Sequence, residues 1–377
     1  MGLLRAATAL VLASLAACAA NTEDTSTVGD DVVVGVPQTD VERQSIGLSW
    51  LWSYGDWVKT MHGGTDLTPS PTYWAYWHWF DQIANGYGDT IATGGNWATA
   101  NSIVSKYGLA DDATFLAGGD PDPVKREQAA LAAINASLAS GPLSSTVTRR
   151  DRLAVRRELD RAWGLSPDVS SALDAVFGDH VVRTFLPTSQ VPDTSGTFVL
   201  RAEDVPVSYR TAPMAAAAQK SLANAMHEWR NVYFAAAQSD AYLARVQAAV
   251  NDGQPVLLTW FVDFDALEVR DNGRLGSFNL STLNELGPGV QGGHTVVIQA
   301  VTTDGSSRLQ ALRVPNAWGA AHPDRAFMPG VPNEHDLWLD YLASPIKRCV
   351  ERDGSTDTSS CPYTQVPLQD VVLPPGY

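Results

Sequence analysis

From Ser49 onward the apolar residues Trp50, Leu51, Tyr54, Trp57, Val58 and Met61 recur at three- and four-residue steps. That spacing gathers them on one helical face and predicts a buried amphipathic helix. His62-Gly63-Gly64 closes the pattern, with glycine supplying the left-handed backbone that ends a helix. A second helical run is expected from Tyr73 to about Ile83, and a third from Trp97 to Tyr107, stopped by Gly108. Residues 120–250 are Ala-rich and predict further helices, among them VKREQAALAAINASLA and AAAAQKSLANAMHEWRNVYFAAA. After residue 255 the period changes. PVLLTWFVDF, HTVVIQAVTTD and RLQALRV read as strands divided by Gly, Asn and Asp turns, with TTDGSSR as a hairpin connection. Helices first and strands second predict an α+β chain with segregated halves. No internal repeat is visible.

The chain's start has a different character. MGLLRAATALVLASLAAC carries one basic residue, Arg5, then an apolar run and small residues, the pattern of a secretory signal. Leu15-Ala16-Ala17-Cys18 resembles a bacterial lipobox. That resemblance implies cleavage after residue 17, lipid on Cys18 and anchorage in the cell envelope, with the outer membrane as the expected location. An ordinary signal peptide cut in the same region is the alternative. Residues 18–40, which include the acidic, Thr-rich NTEDTSTVGDD, are expected to form a disordered tether.

Charge narrows the partners. Twenty-six basic against 41 acidic residues give a formal charge of −15, which argues against a nucleic-acid groove or an anionic membrane surface. Membrane contact is therefore expected only through the lipid on Cys18. The locally basic TVTRRDRLAVRRELDRAW interleaves Glu and Asp and reads as a solvated helix face. Seven of the twelve Trp fall between Trp50 and Trp97. Within that stretch Tyr73, Trp74, Tyr76, Trp77 and Trp79 form either lobe core or a platform for sugar or peptide. Cys349 and Cys361, twelve apart in a polar tail, are expected to pair as a disulfide in an exported chain. A metal pair is the other reading, and it lacks a third ligand nearby. With Cys18 lipidated and the other two joined, no thiol remains for catalysis. His227-Glu228 lacks the second His of a zinc helix, and no phosphate-binding Gly loop is present, so neither metal nor cofactor is expected.

The β half holds GGHTVVIQAV and, twenty-two residues after its His, VPNAWG. His294 sits at a strand start and Asn316 just past a later strand. Neighbouring antiparallel strands would set them side by side, where an Asn can orient an imidazole. These segments resemble the His and Asn-Ser-Trp-Gly elements of papain-like cysteine peptidases. In that family the nucleophile lies in a Gln…Gly-x-Cys-Trp element opening a long helix, and this chain has Gln44-Ser45-Ile46-Gly47-Leu48-Ser49-Trp50 there. TGGNWATANSIVSKYGLADDATF and the long helical segment before the β half resemble the bleomycin hydrolase branch. The likeness spans roughly residues 40–345.

The resemblance implies a papain-like two-lobed fold. Residues 41–119 would form a helical lobe, 120–250 a helical insertion, 251–345 an antiparallel β-barrel-like lobe, and 346–377 a tail. It further implies Gln44 as the oxyanion-hole side chain, His294 as base, Asn316 as its orienter and Trp318 as the indole shielding the Asn–His pair. Position 49, where the family has Cys, is Ser. Gln44 also lies one residue closer to it than is usual, and Pro315 precedes Asn316.

A helix N-terminus and an imidazolium can ionise a thiol, but a hydroxyl is far less acidic and must give its proton to a base during attack. Three functions follow. The chain is a peptidase homologue, impaired or inactive, that binds peptide or protein in its cleft. Alternatively it is a peptidase or amidohydrolase using Ser49, or an envelope structural module. The bland role for Ser49 is helix N-cap.

Overall fold

The computed structural model describes residues 27–28, 31–36, 47–64, 66–86, 88–118, 122–182, 199–318, 332–352 and 355–377. Helix α1 (Ser49–His62) ends where Gly63 takes a left-handed conformation, as the sequence predicts. Helix α2 (Pro71–Asn85) begins earlier than expected because Ser70 caps it, accepting from the Tyr73 amide, and Pro71 fits the first turn. Helix α3 (Trp97–Tyr107) has the predicted bounds and is capped by Asn96. Tyr73, Trp74, Tyr76, Trp77 and Trp79 are all fully buried, so the aromatic stripe is core and not a platform. Trp77 stacks on Tyr107 at 4.2 Å, and Trp79 lies 4.9 Å from Trp163 on a later helix.

The arginine-rich run departs from expectation. Arg156 is fully buried and pairs with Asp160 at 3.4 Å and Asp174 at 3.2 Å, close to the Trp77 ring. Arg149 is buried too, donating to the Leu143 carbonyl at 2.6 Å and to Asp89. Asp160 from the same helix and Asp174 from the next neutralise Arg156 inside the lobe, where an unpaired charge would be prohibitive, and Asp89 pairs with Arg149 at the surface. The long Ala-rich run near residue 220 is helical only over Leu222–Glu228. Ala218–Ser221 and Arg230–Tyr233 are strands, because each finds an antiparallel partner elsewhere and tertiary pairing overrides Ala's helix propensity.

The second half carries two antiparallel sheets with a common core. One has the order Arg230–Tyr233, Leu368–Leu373, Leu257–Asp263, Gln291–Val297; the other runs Thr27–Val28, Asp31–Gly35, Ala300–Thr303, Leu309–Pro315, Glu334–Trp338. Among the described residues they form no closed barrel. The run HTVVIQAVTTD is two strands, broken at Ile298-Gln299, and it crosses from one sheet to the other. Part of the expected tether is structured: Asp31–Gly35 pairs with Ala300–Thr303, its Val-rich stretch supplying the β-branched residues a strand favours. The architecture is α+β with helices and sheets segregated, as the sequence predicts. Cys349 and Cys361 are disulfide-bonded.

Candidate active site

Position 49 is held from both sides. Gly47, with φ +72°, turns the chain into α1, and a Cβ there would come 2.7 Å from the Thr93 hydroxyl. Leu48 occupies the N-cap position with no side-chain cap, so Ser49 is the first helical residue and does not serve as N-cap. Its hydroxyl looks instead toward the sheet lobe. The Thr295 amide donates to Ser49 Oγ at 3.3 Å, and Ser53 Oγ, one turn along, donates to the Thr295 carbonyl at 2.6 Å. Gln291–Val297 is an edge strand of its sheet, so α1 satisfies both polar groups of Thr295 that the sheet leaves unpaired. Thr295 directly follows His294. The fold thus brings Ser49 to the backbone that follows His294, and no hydrogen bond joins its hydroxyl to His294 Nε2.

His294 is buried, and its ring lies 4.3 Å from that of Trp318 at 34°. Its Nε2 has no hydrogen-bond partner. Burial first, and the nearby His335 second, pull its pKa down to about 3, so the imidazole is neutral at physiological pH. His335 stands on the other neighbour position of Trp318, at 5.8 Å, with Nδ1 2.8 Å from the Gly276 carbonyl.

Asn316 follows the Leu309–Pro315 strand, as expected, and is buried. Its Nδ2 donates to the Pro332 carbonyl at 2.9 Å and its Oδ1 accepts from the Trp318 amide at 3.1 Å. His294 and Asn316 are not on paired strands. The Leu309–Pro315 strand pairs with Ala300–Thr303, because the chain changes sheet after Val297. Trp318 packs on the imidazole itself, with Phe264 at 5.0 Å behind it. Gln44 and Cys18 lie outside the described residues. No group of three or more His, Cys, Asp or Glu among the described residues is placed to hold a metal.

Four participants escaped the sequence reading. Ser53 was detectable, since an i, i+4 spacing puts it on the Ser49 face. His335 sits in EHDLW, whose alternation turns His335 and Leu337 inward. Asp263 and Gln291 had no sequence signal. Asp263 is buried, which raises its carboxyl pKa; it accepts from the Gly289 and Asp265 amides at 3.0 Å and from Gln291 Nε2 at 2.7 Å. Gln291 Oε1 accepts from the Cys349 amide at 2.8 Å, tying the disulfide loop to the strand that bears His294.

No protein-family model matches the chain, and no curated protein matches it. Solved structures do. PepW from Lactobacillus rhamnosis aligns with 90% of this chain and 81% of its own, at 11% identity and a TM-score of 0.43. Xylellain, a cysteine protease from Xylella fastidiosa, aligns with 93% of this chain and 88% of its own, at 11% identity and a TM-score of 0.41. Likenesses of this size assign neither residue nor activity, and the reading of the site stands on its geometry.

Proposed function

We propose that the chain is a papain-like peptidase homologue, catalytically impaired, whose cleft binds peptide or protein. The observation that carries this is that the Ser49 hydroxyl is engaged by the Thr295 amide, while the buried His294 Nε2 has no hydrogen-bond partner, Ser49 included. Attack by Ser49 would need His294 to become imidazolium. A pKa near 3 instead of about 6.5 makes that ion cost about 5 kcal/mol more than in water. The hydrogen bonds of Asn316 to Pro332 and Trp318 do not relieve this cost.

One observation favours the second reading, an active serine peptidase or amidohydrolase: a neutral imidazole is the resting state a hydroxyl nucleophile requires. Peptidase and esterase turnover by the natural chain, Ser49→Cys and Ser49→Ala separates the two. Silence in the natural chain with peptide binding retained supports the impaired homologue. Turnover that disappears in Ser49→Ala supports the hydrolase and refutes impairment. We propose further that the protein is exported and anchored by lipid on Cys18. Fatty-acid labelling lost in Cys18→Ser would support this, and unchanged labelling would refute it.

A further inference from the structure

A pocket of about 430 Å³ opens between the disulfide-closed hairpins and the sheet, lined by neither Ser49 nor His294. Ile346–Arg348 and Tyr363–Gln365 form an antiparallel pair that places Arg348 opposite Tyr363, with Gln365 two residues along the same face. The Arg348 guanidinium donates to Gln365 Oε1 at 3.1 Å and lies 5.7 Å from the Phe261 ring centre. No carboxylate pairs with it among the described residues. Gln365 Nε2 is buried and has no partner. An unsatisfied buried amide donor is costly, and here it stands beside a guanidinium that no carboxylate engages.

We propose that this pocket binds the terminal carboxylate of a peptide that ends in an apolar or aromatic residue. A guanidinium fork meets a carboxylate through two parallel hydrogen bonds, and Gln365 Nε2 supplies a third donor that the ligand would satisfy. The exposed Tyr363 ring and the Phe261 ring offer apolar surface for the last side chain. Glu351 also lines the pocket, so its net charge is near neutral, which suits a monoanion and opposes a dianion such as phosphate. The disulfide at Cys349 fixes the backbone next to Arg348. Gln291 lines the pocket and opens the strand that carries His294. The proposal holds whether or not Ser49 supports turnover.

Calorimetric titration of the full chain tests it, with N-acetyl-Gly-Phe, its C-terminal amide and N-acetyl-Phe-Glu-amide as probes. The free acid should bind, and both amides should bind at least about tenfold more weakly, the effect of one lost charge-assisted contact. Arg348→Gln should weaken the free acid by at least about tenfold while keeping the natural thermal midpoint, because Arg348 is exposed. Gln365→Glu should abolish binding. Each of these results overturns the proposal: no binding up to about 10 mM, equal binding of acid and amide, no effect of Arg348→Gln, or inorganic phosphate competing as strongly as the free acid. Equal affinity for the Glu side chain would overturn the assignment to a terminal carboxylate.

Discussion

Acidification should unfold this protein in part through one imidazole. In an unfolded chain His294 titrates near ~6.5, whereas in the folded chain burial and His335 hold it near 3. Above pH 6.5 the ring is neutral in both states and stability is unaffected. Between pH 6.5 and about 3 the unfolded chain takes up a proton that the folded chain refuses, so stability falls as pH falls, by up to about 1.4 kcal/mol per pH unit. From pH 7 to pH 4.5 the loss from this group is about 2.6 kcal/mol. The perturbation is His294→Phe, which keeps a ring against Trp318 and removes the titration. Urea unfolding of both proteins at pH 7 and pH 4.5, followed by tryptophan fluorescence, gives two pH differences to compare. Glu268, held low by Arg270, loses its contribution as pH falls, whereas Asp263, Asp112 and Asp370, raised by burial, act in the opposite sense. All four are common to both proteins and cancel. The natural chain should lose about 2.6 kcal/mol more than the variant. Parallel losses, equal within about 0.5 kcal/mol, would mean that folded His294 is protonated as readily as free histidine and would remove the main argument for impairment.

Ser53→Ala removes the donor to the Thr295 carbonyl and should cost about 1–2 kcal/mol, read as a lower urea midpoint. Trp77→Ala empties the stack on Tyr107 and should cost about 3–5 kcal/mol by the same measurement. Replacing both Cys349 and Cys361 by Ser frees a loop of separation 12 and should cost about 3 kcal/mol, visible as a drop in thermal midpoint that reductant reproduces in the natural chain.

Much of the helical half was legible because its signals are local. The Trp50–Met61 spacing and the Gly63 and Gly108 stops fixed α1 and α3 to the residue, while the Ser70-Pro71 start of α2 was overlooked although its chemistry is equally local. The order of His294 and Asn316 was also readable, but His294 stands mid-strand and not at a strand start, because Gln291, Gly292 and Gly293 pair with Asp263, Val262 and Phe261. Their relation was not, since it depends on the break at Ile298-Gln299, where a continuous apolar run changes sheet. The strands Asp31–Gly35 and Arg230–Tyr233 were misread for the same reason: each exists only because a distant strand pairs with it. The buried arginines show the limit of charge counting, because a helix with interleaved acids and bases looks alike whether its face meets water or a neighbouring helix. The bond between Ser49 and Thr295 joins positions whose proximity no local pattern encodes.

The strand Leu368–Leu373 lies inside its sheet, between Arg230–Tyr233 and Leu257–Asp263. During synthesis, Leu257–Asp263 therefore waits with a bare edge for more than a hundred residues until its partner emerges. The strand it supports on its other side carries His294, so the candidate site is among the last parts of the molecule to acquire its native surroundings. A chain interrupted before residue 368 would keep its helical lobe's local contacts yet present an apolar strand edge to its neighbours, a template for aggregation. The buried Val371 and Leu373 thus close a sheet whose other strands all precede them in the chain.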